Sequence, residues 1–202
     1  PDVQQVQGNP YDPDGTIWVA TGESIEAFSR DGKRHVKSIS VKDIPVGQTQ
    51  NGNFVVEHYA WASNGDLFAA GGHRIVRFSQ DGTFISAFGE AGNGPGQLGI
   101  VGEGLRGAGI HSVVVDSARN RMYVADRVNS RIQVFDLNGQ FLDAWPNIPG
   151  PYSIRLTADG QFLWVADGYT QKVMKYEAMT GRLVPGSSWG TMGIAPGAIW
   201  GF

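Results

Sequence analysis

The sequence predicts an all-β fold, a β-propeller of four-stranded antiparallel blades. Three observations predict it. A short strand motif recurs along the chain, an alternating strand ending in an aromatic follows each copy, and a glycine turn follows that strand.

The strand motif is clearest in Met122-Tyr-Val-Ala-Asp126 and Leu163-Trp-Val-Ala-Asp167, with weaker copies at Ile17-Trp-Val-Ala-Thr21 and Leu67-Phe-Ala-Ala-Gly71. The strands that follow are Ile25–Phe28, Ile75–Phe78, Ile132–Phe135 and Val173–Tyr176. Next come the turns Asp31-Gly32, Asp81-Gly82, Asn138-Gly139 and Thr180-Gly181, read as type I′ hairpins that need positive φ. A second series of turns, at Asp14-Gly15, Asn64-Gly65, Arg119-Asn120 and Asp159-Gly160, precedes the strand motif.

Each unit therefore reads as four strands, labelled a to d. In the third unit these are Val113–Val115, Met122–Ala125, Ile132–Phe135 and Phe141–Trp145. Alternation along strand c, Ile132 and Val134 against Gln133 and Phe135, gives it two distinct faces. One such sheet would leave an apolar face in water, and radial stacking covers each face with the next sheet. A repeat of about 40 to 55 residues suits a propeller. The reading is one domain over 1–202, with blades at about 1–49, 50–104, 105–148 and 149–190 and the start of a further blade at 191–202. A closed four-bladed ring and a portion of a larger ring both fit this pattern.

Composition agrees. Hydrophobic residues make up 41%, charged residues 17%, and there are 29 glycines, as short strands and tight turns require. The net charge of −3 supplies no basic field, so nucleic acid is not expected as a partner. No apolar run approaches the ~20 residues of a membrane-spanning helix. With no cysteine there is no disulfide and no thiolate metal site, and the compartment stays open, an extracytoplasmic or secreted one being favoured. Neither a Gly-x-Ser-x-Gly elbow nor a phosphate-binding Gly-x-x-x-x-Gly-Lys is present, and Gly92-Asn-Gly-Pro-Gly96 reads as a surface insertion between blades.

Four histidines are candidates for metal or acid–base chemistry. His58 and His111 both lie near the start of an a strand, the strand that lines a propeller channel, so on neighbouring blades they would converge on the axis. Zinc takes three or four ligands, often imidazole. His73, in a loop beside two glycines, is expected in solvent, and His35 on an outer strand at the surface. Asp126 and Asp167 end their b strands and are expected to accept bonds from the following turn. Arg131 recurs as Arg74 and Lys172, which points to a structural role between blades.

The third unit, Ile110 to Asp136, resembles an NHL repeat, and Pro151–Tyr176 is similar to a second copy. The resemblance implies a six-bladed ring. Within that family the segments Ile110-His-Ser-Val, Ala125–Phe135 and Ala166-Asp-Gly-Tyr169 resemble the catalytic core of peptidyl-α-hydroxyglycine α-amidating lyases and similar bacterial proteins. What this implies is one zinc ion held by three inner-strand histidines, a loop tyrosine and arginine, and cleavage of a C-terminal hydroxyglycine to a peptide amide and glyoxylate. His111 matches a zinc-histidine place and Tyr169 the catalytic tyrosine's place. The next zinc histidine would fall past Phe202, and no arginine stands in Ala69-Ala-Gly-Gly-His73, where one would be expected. If zinc binds, it would polarise the substrate hydroxyl with Tyr169 as general base. The other readings are a non-catalytic scaffold that binds a peptide or protein on one face, and a lactone-hydrolysing propeller with a central calcium. The partner is a peptide or small hydroxy compound, or a protein.

Overall fold

The computed structural model describes residues 3–49, 54–99, 109–193, 196 and 198. The further blade expected over 191–202 lies mostly outside the described residues.

The first sheet comprises β1 (Gln5–Gly8), β2 (Ile17–Ala20), β3 (Ser24–Phe28) and β4 (His35–Ser40). The second comprises β5 (His58–Trp61), β6 (Leu67–Gly71), β7 (Arg74–Phe78) and β8 (Phe84–Phe88). The third holds β9 (Ile110–Asp116), β10 (Arg121–Asp126), β11 (Arg131–Phe135) and β12 (Phe141–Pro146). The fourth holds β13 (Pro151–Leu156), β14 (Phe162–Asp167), β15 (Lys172–Glu177) and β16 (Leu183–Trp189). Each is a four-stranded antiparallel meander in sequence order, and no α-helix occurs among the described residues. These sheets are blades 1 to 4. The inner strands β5, β9 and β13 neighbour one another across blades, so the first strand of each blade faces the axis.

Consecutive blades share a core. The face each blade turns toward its successor is called trailing here, and the opposite face leading. Trp18, Ala20, Ile25 and Ala27 of blade 1 meet Tyr59, Leu67, Ala69 and Phe78 of blade 2. Ala60, Phe68, Ala70 and Ile75 then meet Val113, Met122, Val124 and Phe135. Tyr123, Ala125, Ile132 and Val134 meet Ile154, Leu163, Val165 and Tyr176. Period-two alternation in the strands of blades 2 and 3 thus feeds two cores at once. A fully buried large apolar side chain here contributes ~1.5–3 kcal/mol.

The turns between strands c and d differ from the type I′ reading. Gly32, Gly82, Gly139 and Gly181 have positive φ, but Asp31, Asp81, Asn138 and Thr180 do not. The amide of Gly32 bonds Ser29 O and that of Gly139 bonds Asp136 O, so each loop is longer, with the left-handed residue at its end. The glycines are needed for a second reason. A Cβ at Gly139 would lie 2.6 Å from the Phe88 ring of the preceding blade, and Gly82 and Gly181 sit likewise on Ile39 and Trp145. In the turns before strand b, Gly15, Gly65, Asn120 and Gly160 take the positive φ.

The insertion at 89–99 is clasped to blade 3. Arg131 donates to the carbonyls of Asn93 (2.7 Å), Gly94 and Gln97 and pairs with buried Asp126 at 2.8 Å. The inter-blade role expected for Arg131 is what its bonds perform.

Candidate functional site

The lead-in to each inner strand and each loop between strands b and c lie at one end of the blades. At that end the inner strands use two successive positions differently. The position paired with the strand-b alanine carries Gln5, His58, Ser112 and Ser153, opposite Ala20, Ala70, Ala125 and Ala166. The position before it carries Gln4, Glu57, His111 and Tyr152.

The first position holds blades together. Gln5 accepts from Tyr59 N–H at 2.7 Å, His58 Nδ1 accepts from Val113 N–H at 3.3 Å, and Ser112 Oγ accepts from Ile154 N–H at 3.2 Å. Each bond reaches from one inner strand to the next. His58 Nδ1 is therefore an acceptor and Nε2 carries the proton, 3.4 Å from Ser112 Oγ. Burial, with the nearby charge of Arg155 and then His111, pushes the His58 pKa down to about 3, so the ring is neutral.

The second position builds a cluster. The pairing of β9 and β10 shifts between Ala125 and Asp126, leaving His111 as a bulge, and the same shift leaves Tyr152 as a bulge in β13. A bulge re-aims its side chain. The His111 and Tyr152 rings stack at 4.2 Å. The Arg127 guanidinium lies 5.3 Å from the Tyr152 ring centre and 5.2 Å from that of Tyr169. Its Nη1 donates to His111 Nε2 at 3.0 Å, which leaves Nε2 as the acceptor and a ring proton on Nδ1.

Both loops are fixed from below by strand-b aspartates. Asp167 accepts from the Tyr169 and Thr170 amides at 3.0 and 2.8 Å and from Gly150 N–H at 2.8 Å, as its sequence position led us to expect. Tyr169 is half exposed and packs over Gly150, where a Cβ would meet its ring at 2.6 Å. Asp126 behaves differently. It accepts from Gly99 N–H, Asn129 and Arg131, while Asn129 also bonds Gly92 O.

Arg127 stands apart from the other paired arginines. Arg77, Arg119, Arg131 and Arg182 each hold a carboxylate within salt-bridge distance, whereas Arg127 has none among the described residues. Its Nε, with Glu57 Oε2, His73 Nδ1 and Arg74 Nε, is buried at this end without a hydrogen-bond partner among those residues. An unpaired buried polar atom costs about 1–3 kcal/mol. Desolvation raises the Glu57 pKa to about 7, against the pull of Arg127. His73 is half-buried rather than solvated, and His35 lies at the surface, bonded to Glu26.

Of the sequence candidates, His111 and Tyr169 come together around Arg127, while His58 turns to the blade junction. Arg127, Glu57 and Tyr152 were not singled out as site residues. The available signal was Arg127 at the loop position that follows the strand-b aspartate, the one Gly168 fills in blade 4.

Zinc is the cofactor the resemblance implies, and the donor set does not fit it as arranged. No three His, Cys, Asp or Glu side chains converge among the described residues. His58 Nδ1 is committed to a backbone amide, and His111 Nε2 faces a guanidinium, whose charge opposes a second cation.

Fold and cluster together define a β-propeller protein with a cationic and aromatic site at one end of its inner strands. Residues 108–135 match the NHL repeat. The chain is similar to human NHL repeat-containing protein 3, with 41% identity over 111 residues, 50% of this chain and 29% of that protein. It is also similar to mouse peptidyl-glycine alpha-amidating monooxygenase, with 30% identity over 142 residues, 63% of this chain and 13% of that protein. The chain thus spans under a third of the curated relatives it matches. Among solved structures, hydrazine synthase of Kuenenia stuttgartiensis superposes with a TM-score of 0.61 at 14% identity, over 88% of this chain and 47% of that one. A protein of unknown function from Bacteroides caccae gives 0.63 at 17% identity, over 91% and 59%. These two speak for the fold alone. Residues 108–135 thus carry an NHL repeat within a propeller-like array of four-stranded blades.

Proposed function

We propose that the chain is a peptide-binding NHL-repeat module whose loop end holds a carboxylate against Arg127. The observation that supports this is a guanidinium fixed between the Tyr152 and Tyr169 rings with no carboxylate at salt-bridge distance among the described residues, Glu57 acting on it only from further away. A planar fork held in place loses little freedom when it binds a carboxylate through two nitrogens. His111 Nε2, accepting from Arg127, orients the fork. The flanking tyrosine rings give a peptide main chain apolar surface to lie on. Binding of a peptide with a free C-terminal carboxylate, compared with its C-terminal amide, tests the reading. The carboxylate form is expected to bind at least ~10-fold more tightly, and Arg127→Lys to remove most of that preference. Equal binding of the two peptides would sink it.

The second reading is a lyase releasing a peptide amide and glyoxylate. The likeness to an amidating monooxygenase favours it, as does His111 beside Tyr169's guanidinium partner. Zinc content per chain after loading and dialysis, with His111→Ala as control, and glyoxylate release from a peptidyl-α-hydroxyglycine decide it. About one retained zinc that the variant loses, with release, supports the lyase. Neither zinc nor release leaves the binding module.

A further inference from the structure

We propose that Asn93-Gly94 is a site of spontaneous modification, where the Gly94 amide nitrogen closes on the Asn93 side chain, expels ammonia and leaves aspartate or isoaspartate. The pair sits in the surface insertion Gly92-Asn-Gly-Pro-Gly96, whose backbone is clasped by Arg131 while the Asn93 side chain is exposed. An asparagine followed by glycine allows the closure, because the second residue has no Cβ to crowd the attacking nitrogen.

Three such pairs lie among the described residues, Asn64-Gly65, Asn93-Gly94 and Asn138-Gly139, and Asn51-Gly52 lies outside them. All three asparagines are exposed, so their surroundings decide between them. The Asn64 side chain is tied at both ends. Its Oδ1 accepts from Asp66 N–H at 3.1 Å and its Nδ2 donates to Asp66 Oδ2 at 2.9 Å, while buried Gly65 gives its N–H to Ala62 O at 3.0 Å. Gly139 gives its N–H to Asp136 O at 3.1 Å. The Asp136 carboxylate also takes the Asn138 and Gln140 amides at 2.9 and 2.8 Å, and its negative charge opposes removal of the Gly139 proton.

Asn93 has the opposite setting. Its side chain makes no hydrogen bond with a described residue, so it is left to swing onto Gly94. Arg131 Nη1 donates to the Asn93 main-chain carbonyl at 2.7 Å. When Gly94 loses its proton the negative charge is shared with that same oxygen, which the guanidinium already holds. A neutral side-chain amide, Gln97 Oε1, accepts the Gly94 N–H at 2.9 Å, in place of a backbone carbonyl. The reactive pair is also imposed by packing, since a Cβ at Gly94 would stand 2.9 Å from Gln97 Oε1. Solvent supplies the remaining atoms. The Gly94 nitrogen bonds Asn93 Cγ, the Cγ–Nδ2 bond breaks, and Nδ2 leaves with protons from water as ammonia. Water then opens the five-membered imide, at Cγ to give aspartate or at the Asn93 main-chain carbon to give isoaspartate. The second route leaves its new carboxylate on the carbon whose oxygen Arg131 Nη1 now holds, so Arg131 is then shared between that group and Asp126.

Ageing the folded 202-residue chain in mildly alkaline buffer, followed by tryptic mass mapping, tests this. Cleavage after Arg77 and Arg106 yields a fragment whose one asparagine is Asn93. A mass gain of about 1 Da is expected in that fragment first. It should be at least ~5-fold faster than at Asn138, the effect of one nearby unit charge acting through water. Asn64 is expected to be slowest. In the chain unfolded by guanidinium the three sites are expected to converge, since each keeps its glycine and loses its fixed surroundings. Asn93→Gln, at an exposed position, is expected to remove the fast gain and keep the β circular dichroism. A folded chain in which Asn138 or Asn64 reacts before Asn93, or an order of rates unchanged by unfolding, overturns the proposal.

Discussion

His58 and His111 sit on neighbouring inner strands of the same repeat and do opposite work. His58 pairs with Ala70, and its ring points into the junction where it takes the Val113 amide. His111 comes one residue earlier in its unit, in the bulge before Ser112, and its ring points to Arg127 and Tyr152. In a strand a shift of one residue moves a side chain to the other face. Two histidines at the start of two inner strands are therefore not equivalent. The repeat equivalent of His111 in blade 2 is Glu57, and that of His58 in blade 3 is Ser112.

The largest expected effect lies at His58. His58→Ala leaves the Val113 amide without a partner at a buried junction and opens space, and is expected to cost about 3 kcal/mol in denaturant unfolding. Ser153→Ala, at the equivalent place in blade 4 where no partner is present among the described residues, is expected to change stability by less than about 0.5 kcal/mol. Equal losses would break the distinction between filled and open junction positions.

Next comes pH. The Glu57 pKa is raised from 4.5 to about 7, so the native state holds this proton more tightly than the unfolded chain does. Stability from this group is complete below about pH 4.5 and lost as pH climbs to 7, by roughly 3 kcal/mol. His58 acts in the opposite sense. Its pKa falls from 6.5 to about 3, so its contribution is complete above pH 6.5 and is lost as pH falls toward 3. Glu57→Gln is expected to remove the decline on the alkaline side and leave the acid limb. A decline that persists in this variant would assign it elsewhere.

A smaller contrast tests the blade junctions from outside. Gly139→Ala meets the Phe88 ring as well as the positive φ, while Gly32→Ala meets the φ alone. About 2 kcal/mol is expected for the first and about 1 kcal/mol for the second.

The blades were legible in the sequence because strand period, terminal aromatics and turn glycines all agree. Turn type was not, since Asp-Gly and Asn-Gly fit both the two-residue hairpin and the longer loop that forms. Residues that act through their own repeat position, such as Arg131 and Asp167, were read correctly. The cluster escaped because it depends on bulges at His111 and Tyr152, which no periodicity announces, and because Arg127 gains its meaning only from rings on the next blade. His58 and His111 take different partners for the same reason, a register difference of one residue.

The most direct test of that difference is a long-range proton–nitrogen correlation spectrum of the histidine rings at neutral pH, assigned with His58→Gln and His111→Gln. The account expects the acceptor nitrogens to differ, Nδ1 in His58 with the proton on Nε2, and Nε2 in His111 with the proton on Nδ1. A shared tautomer, or a charged His58, would contradict it.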